Sequence, residues 1–387
     1  MPGRGHPRSL RRGAGAGPAR RDRGERMVRL IAAIAGAAAV LAPAPAAYAA
    51  GAGPCLPAAT TVRPGVPWAQ DLLGPQRIWP LTRGGGVTVA VVDTGVDAVP
   101  QLAGRVTGTR TDCAGHGTFV AGIVAAAPAD GAGFTGLAPA ATVLSVAVTA
   151  DASRRPPQAQ LAAGIRTAAA QGADVIAVAL PLWRAGDELL SAVQEAARHD
   201  ALVVVPALAP QDGDPALDPR LLDLVLAVGG MDAQGAPVAD TAAPADLLAP
   251  AAEIVSTGPR GPGHLAAGGT GYAVPFAAGA AALVRAYHPD LTAAQVKRRL
   301  TVTARTAGGV LDAYAAVTAV LPEELGTRPA ETAPRPVTVA APVRSDRRAL
   351  VVAAYAVGAA VAVLAGLAVL AVLLPRARRR GRRAVAR

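Results

Sequence analysis

A chain of 387 residues, 52% of them hydrophobic, is long enough for one large domain with appendages. Its net charge of +11 is concentrated at the ends: residues 1–26 carry +6 and residues 375–387 carry +7, leaving −2 for residues 27–374. With aromatics at 3% and no basic stretch interleaved with them, this distribution excludes a nucleic-acid footprint and reads as a membrane-topology signal.

Residues 1–26 are rich in Arg and Gly and are not expected to fold; they are either an over-extended start or a long n-region. A second start stands at Met27. Arg26 and Arg29 make a basic n-region, Leu30–Ala42 is apolar and uncharged, and Ala47-Tyr48-Ala49 has the small-x-small form of a cleavage site. Residues 27–50 are therefore expected to be a secretory signal peptide, because so short an apolar run is poorly suited to span a bilayer. Residues 51–85 form an extension ahead of the first strand. The two cysteines, Cys55 and Cys113, are an even count in an exported chain and point to one disulfide, with the pairing left open.

The main domain is expected over 86–320. Apolar runs at Val87–Val92, Val143–Val148, Val175–Leu180, Leu202–Val205 and Leu224–Val228 are strand candidates of the kind buried on both faces. Helical patterns lie between and after them, at Gln160–Ala170, Asp187–His199, Ala273–Tyr287 and Leu291–Thr303, the last opening with Thr292 and Gln295 at capping-box spacing. The alternation predicts an α/β fold, a mainly parallel sheet with helices on both faces. Residues 321–348 hold five prolines without hydrophobic periodicity and read as a linker. Ala349–Leu374 contains no charge and no proline, enough for one transmembrane helix, and the Arg-rich tail 375–387 should stay cytoplasmic.

Three stretches carry the chemistry. Val89–Asp93 is an apolar strand running into Asp93-Thr-Gly, which puts a carboxylate at the C-terminal end of a parallel strand, where active sites form. Gly115-His116-Gly117-Thr118 precedes the apolar helix start at Phe119, and its glycines let backbone pack beside the imidazole. Gly268–Gly279 reads GGTGYAVPFAAG. Taken singly, Asp93 is more simply a turn aspartate and His116 a structural histidine.

Together and in this order, the three stretches resemble the motifs of the subtilisin-like serine proteases, whose nucleophile segment is Gly-Thr-Ser-x-Ala-x-Pro. Pro67-Trp68, Trp79, Gly136–Pro139 and Pro289–Thr292 are similar to the mycosins, the membrane-anchored members associated with type VII secretion in actinobacteria. The resemblance covers roughly 50–374. It implies a three-layer subtilisin-like fold, with Asp93 orienting His116 and His116 as general base. It also implies a Cys55–Cys113 disulfide tying the extension to the domain. Implied partners are a type VII secretion membrane complex, peptide or protein substrates, and the membrane, with the domain extracytoplasmic.

The site departs from the family pattern at several positions. Gly271 stands where the nucleophilic serine belongs, and none of Ser9, Ser145, Ser153, Ser191, Ser256 or Ser345 follows Thr270. The oxyanion-hole asparagine is replaced by Pro210, and the substrate-binding strand reads Ala177-Val-Ala179-Leu-Pro181. In subtilisin, losing the serine costs about 10⁶ in turnover, and losing the oxyanion asparagine costs about 10²–10³. The expectation is a pseudoprotease serving as a scaffold or peptide-binding subunit. The alternative is an active serine endopeptidase with an unrecognised nucleophile. No cofactor or metal is expected, because the five histidines lack metal-ligand spacing with Cys or acids.

Overall fold

The structure, a computed structural model, describes residues 55–153, 155–182, 186–209, 217–242, 244–305 and 309–325. The expected signal peptide, the span 349–374, the basic tail and Pro210 lie outside the described residues. Among the described residues, no helix is long and apolar enough to cross a membrane.

Seven parallel strands form the sheet. In chain order they are β1 (Thr88–Asp93), β2 (Val106–Gly108), β3 (Thr142–Ala147), β4 (Val175–Ala177), β5 (Leu202–Pro206), β6 (Val225–Met231) and β7 (Leu247–Pro250). Their spatial order is β2-β3-β1-β4-β5-β6-β7. The central strand β1 pairs Asp93 with Ala147 of β3 and Val91 with Ala177 of β4. The Val-, Leu- and Ile-rich runs are buried along their lengths because both sheet faces are covered.

Two cores flank the sheet. On one face pack α2 (His116–Ala125) and α6 (Ala273–Tyr287), with Val89, Val91, Val175 and Val204 pointing toward them. On the other pack α3 (Gln158–Ala170) and α4 (Asp187–Arg198), against Ala90, Val92, Ile176 and Val203. The alternation of side chains along each strand divides one apolar run between the two cores. Helix α6 is buried from Ala273 to Arg285, which its Ala- and Gly-rich sequence allows. Its Pro275 sits in the first turn, where no helical N–H bond is lost.

The peripheral helices are α1 (Trp68–Leu73), α5 (Pro219–Leu222), α7 (Ala293–Val302) and α8 (Ala313–Thr318). The expected capping box opens α7: the Thr292 hydroxyl accepts from Gln295 N–H, and Gln295 Oε1 accepts from Thr292 N–H. Arg299 on α7 is fully buried. Its guanidinium donates to the Ala316 and Ala319 carbonyls and pairs with Glu324. The expected linker therefore starts with a short 3-10 turn, Pro322–Leu325, held to the domain.

Some boundaries differ from expectation. The helix expected from Phe119 begins at His116. Strand β4 ends at Ala177 rather than Leu180, and Pro181 beyond it has no N–H to continue a ladder. The edge strands β2 and β7 and the antiparallel hairpin β8 (Ile254–Thr257) and β9 (His264–Ala267) were not expected, since their short runs carry little period. Cys55 and Cys113 are disulfide-bonded, 58 residues apart in sequence.

Candidate active site

Asp93 ends β1 fully buried, and His116 opens α2 beside it. His116 Nδ1 lies 2.7 Å from Asp93 Oδ1. Two glycines make this approach possible. Gly115, the residue before the helix, adopts φ 73°, the left-handed region. At Gly117 a Cβ would stand 2.1 Å from the Gly95 carbonyl oxygen and 3.2 Å from Asp93 Cβ, so only glycine lets the first turn of α2 lie against β1.

A buried polar network holds the pair. Asp93 Oδ1 also accepts from Thr94 N–H at 2.8 Å, while Thr94 Oγ1 donates to Asp112 Oδ1 at 2.8 Å. Asp112 receives Gly115 N–H at 2.8 Å, and Thr118 N–H and Oγ1–H at 2.8 and 2.7 Å. Its carboxylate thus caps the helix that carries His116. Asp97 Oδ1 accepts from Asp112 N–H at 2.7 Å and Thr118 Oγ1 accepts from Asp97 N–H at 2.9 Å, closing the loop. Asp97 is pushed above its ordinary range, first by burial and then by the nearby Asp112 charge, against the pull of hydrogen bonds. Sequence reasoning missed Thr94, Asp97, Asp112 and Thr118 as supports. The available signal was their position: each lies within four residues of Asp93 or His116.

His116 experiences two opposed effects. Burial disfavours the imidazolium, but the charge and hydrogen bond of Asp93, with the charge of Asp112, outweigh it and raise the pKa above the ordinary value. The ring also meets Tyr272, with centroids 5.2 Å apart, and Tyr272 in turn packs edge-on to Phe119 at 4.9 Å. Burial and then the Asp93 charge push the Tyr272 phenol up to about 12, so it stays protonated.

Gly271 lies in a 3-10 turn, Thr270–Tyr272, that leads into α6. A Cβ on Gly271 would stand 2.6 Å from the Ala179 carbonyl oxygen. Thr270, one residue earlier, is buried and turned away from His116. Its hydroxyl donates to Asp240 Oδ1 at 2.8 Å and lies 2.6 Å from Thr241 Oγ1, and its N–H donates to Asp240 Oδ2 at 3.0 Å. Among the described residues, no hydroxyl is hydrogen-bonded to the His116 ring, and no group of three or more His, Cys, Asp or Glu could hold a metal. The structure thus joins Asp93 to His116 and brings the Gly271 turn to them through Tyr272. Pro210 lies outside the described residues, although Ala209 just before it donates N–H to the Asp240 carbonyl.

Residues 84–317 match the model of the subtilase family. Mycosin-1 of Mycobacterium tuberculosis is 34% identical over 370 residues, covering 77% of this chain and 83% of the relative. The crystal structure of MycP1 from Mycobacterium smegmatis superimposes with a TM-score of 0.59 at 30% identity, covering 73% of this chain and 93% of that one. A chain in the structure of the periplasmic assembly from the ESX-5 inner membrane complex gives a TM-score of 0.58 at 28% identity, covering 75% and 92%. With an Asp93–His116 pair on a seven-stranded parallel sheet and these matches over most of the domain, the chain belongs to the subtilase family and is similar to the mycosins.

Proposed function

We propose that this chain is a mycosin-like pseudoprotease, anchored in the membrane by 349–374 with its domain outside, and acting as a scaffold or peptide-binding subunit of a type VII secretion complex. The observation that carries the loss of catalysis is the Gly271–Ala179 contact. Gly271 has no nucleophile, and the Ala179 carbonyl oxygen lies 2.6 Å from where a Cβ at 271 would stand, too close for an unstrained side chain. Asp93 and His116 remain paired, but among the described residues no hydroxyl is hydrogen-bonded to His116 for it to deprotonate, which leaves the pair without a covalent step to serve. Thr270 does not replace the serine, because Asp240 and Thr241 hold its hydroxyl. Pro210, at the position of the oxyanion asparagine, supplies neither a side-chain donor nor a backbone N–H.

The secretion reading is supported by the relatives, which include mycosins and a component of the ESX-5 periplasmic assembly. The membrane reading is supported by the uncharged stretch 349–374 and the Arg-rich tail behind it.

A second reading, an endopeptidase with an unrecognised nucleophile, draws on the intact Asp93–His116 hydrogen bond. Incubating the full-length protein with a fluorophosphonate probe and a peptide library separates the two. No labelling and no cleavage are expected; labelling that disappears in His116→Ala would overturn the pseudoprotease reading.

A further inference from the structure

The extension between Cys55 and Arg63 lies across the β8–β9 hairpin and the segments beside it. Leu56 N–H donates to the Cys113 carbonyl and Ala59 N–H to the Pro259 carbonyl. Gly263 and His264 donate their N–H groups to the Ala59 and Thr61 carbonyls. Gly133 N–H donates to the Arg63 carbonyl. The fit is close: a Cβ on Gly261 would stand 2.0 Å from the Ala59 oxygen.

The buried side chain of His264 adds a further link, to Arg63 N–H, and its protonation state follows from its neighbours. Gln101 Nε2 donates to the Ala127 and Phe134 carbonyls at 2.8 and 3.2 Å, which fixes the amide so that Oε1 faces His264. Oε1 can only accept, so His264 Nε2, 2.7 Å away, carries the hydrogen. Nδ1 is then bare and accepts from Arg63 N–H at 3.1 Å. The neutral ring is fully satisfied, with the edge of Phe134 against it at 5.6 Å between centroids. A second proton could only go onto Nδ1, where it would face the Arg63 N–H donor-to-donor.

We propose that His264 is an acid-sensitive clasp on the N-terminal extension, closed when neutral and released when protonated. Charged groups on the segments packed around the ring are Arg63 of the extension, Arg260 of the hairpin turn, Arg105 beneath Gln101, and Asp130 ahead of Phe134. Among the described residues, no carboxylate is paired with the ring, so nothing stabilises the imidazolium in place. Burial and then the Arg63 charge lower the pKa from its ordinary 6.5. A depressed histidine favours the closed state above the ordinary value and disfavours it as pH falls below. The Cys55–Cys113 bond keeps the released strap tethered, so opening is local and reversible.

The test is hydrogen exchange on the full-length oxidised protein from pH 8 to 5, corrected for intrinsic exchange, with the His264 ring titration followed by NMR. Amides of Leu56–Arg63 should lose protection between pH 7 and 5 by up to about thirtyfold, the ceiling set by the ordinary histidine value in the open state. Amides of β1 and β5 should not change. The loss should set in as pH falls below the ordinary 6.5, level off once the depressed His264 ring followed by NMR is protonated, and vanish in His264→Gln. Unchanged protection, a His264 ring titration that is not depressed below 6.5, or the same acid loss in His264→Gln would overturn the clasp. The ring titration and the onset of the loss are read on the wild type and stand even where the variant does not fold.

Discussion

The carbonyl oxygen of Ala179 lies 2.6 Å from the position a Cβ on Gly271 would take. Real Cβ atoms do not approach oxygen so closely, so any side chain at 271 must push back the backbone beyond β4. That segment is sandwiched between two cores: Val178 N–H donates to the Val204 carbonyl, and Leu180 is fully buried. Forced overpacking of this kind typically costs about 1–3 kcal/mol. Gly271→Ala and Gly271→Ser should each lower the melting temperature by a few degrees, at about 2–4 °C per kcal/mol for a domain of this size. Gly85→Ala, whose Cβ would find its nearest neighbour at 3.9 Å, should not. Gly271→Ser should also fail to restore peptide hydrolysis, alone or with Pro210→Asn. Near-wild-type melting together with rapid turnover for Gly271→Ser would show an intact site lacking one atom group, contrary to the structure.

The Asp93–His116 pair gives a pH signature independent of activity. Because the folded pKa of His116 is raised, its contribution to stability is complete below the ordinary value of 6.5 and is lost as pH rises through the folded value. In Asp93→Asn the attraction goes and burial remains, so the sign should reverse. NMR titration of the His116 ring should move from above 6.5 in the wild type to below it in the variant. Urea midpoints of the two proteins should converge as pH rises from 6 to 9. A His116 titration unmoved by the substitution would mean that the hydrogen bond does not hold in solution.

The sequence disclosed the fold because the strands of a doubly covered sheet are dense in Val, Leu and Ile, and because α6 and the capping box of α7 have strong local signatures. It missed β2 and β7 because an edge strand of three or four residues carries too little period to register. Asp93 and His116 were legible through motif order. The reach of Asp112 was not: Thr94, Asp97 and Thr118 gather around it only once β1 and α2 are packed. Nor could Gly271 in the sequence reveal that the Ala179 carbonyl stands close to the position a side chain there would take, since that contact joins residues 92 apart in sequence.

Arg299 closes the C-terminal end of the domain. It is fully buried, and its partners are two carbonyls around the end of α8 and the Glu324 carboxylate. Breaking a buried pair by removing one partner costs about 3–5 kcal/mol, because the remaining polar groups lose their desolvated counterpart. Arg299→Ala should therefore destabilise strongly in chemical denaturation. Glu324→Gln keeps an acceptor oxygen and should cost less. Equal effects would mean that the charge of Glu324, rather than the two carbonyls, carries the interaction.

The disulfide can be separated from the hydrogen bonds that run beside it. Cys55–Cys113 closes a separation of 58 residues, for which chain entropy gives roughly 4 kcal/mol. That figure applies to global unfolding. The strap is also held by Leu56, Ala59, Gly263, His264 and Gly133 through backbone hydrogen bonds, so loss of the bond need not detach it near neutral pH. The double variant Cys55→Ala, Cys113→Ala should thus fold, unfold at lower denaturant by about 2–4 kcal/mol, and keep the extension protected from exchange at pH 7.5. At pH 5, where the closed clasp is disfavoured and no covalent tether remains, protease should trim the extension as far as the Trp68 anchor, whose indole N–H donates to the Ala252 carbonyl at 2.9 Å. The wild type under the same conditions should be nicked but should retain the fragment through the disulfide until reduced. Two freely alkylated cysteines in the unreduced wild type, or complete loss of the extension from the double variant at pH 7.5, would show that the strap is held differently.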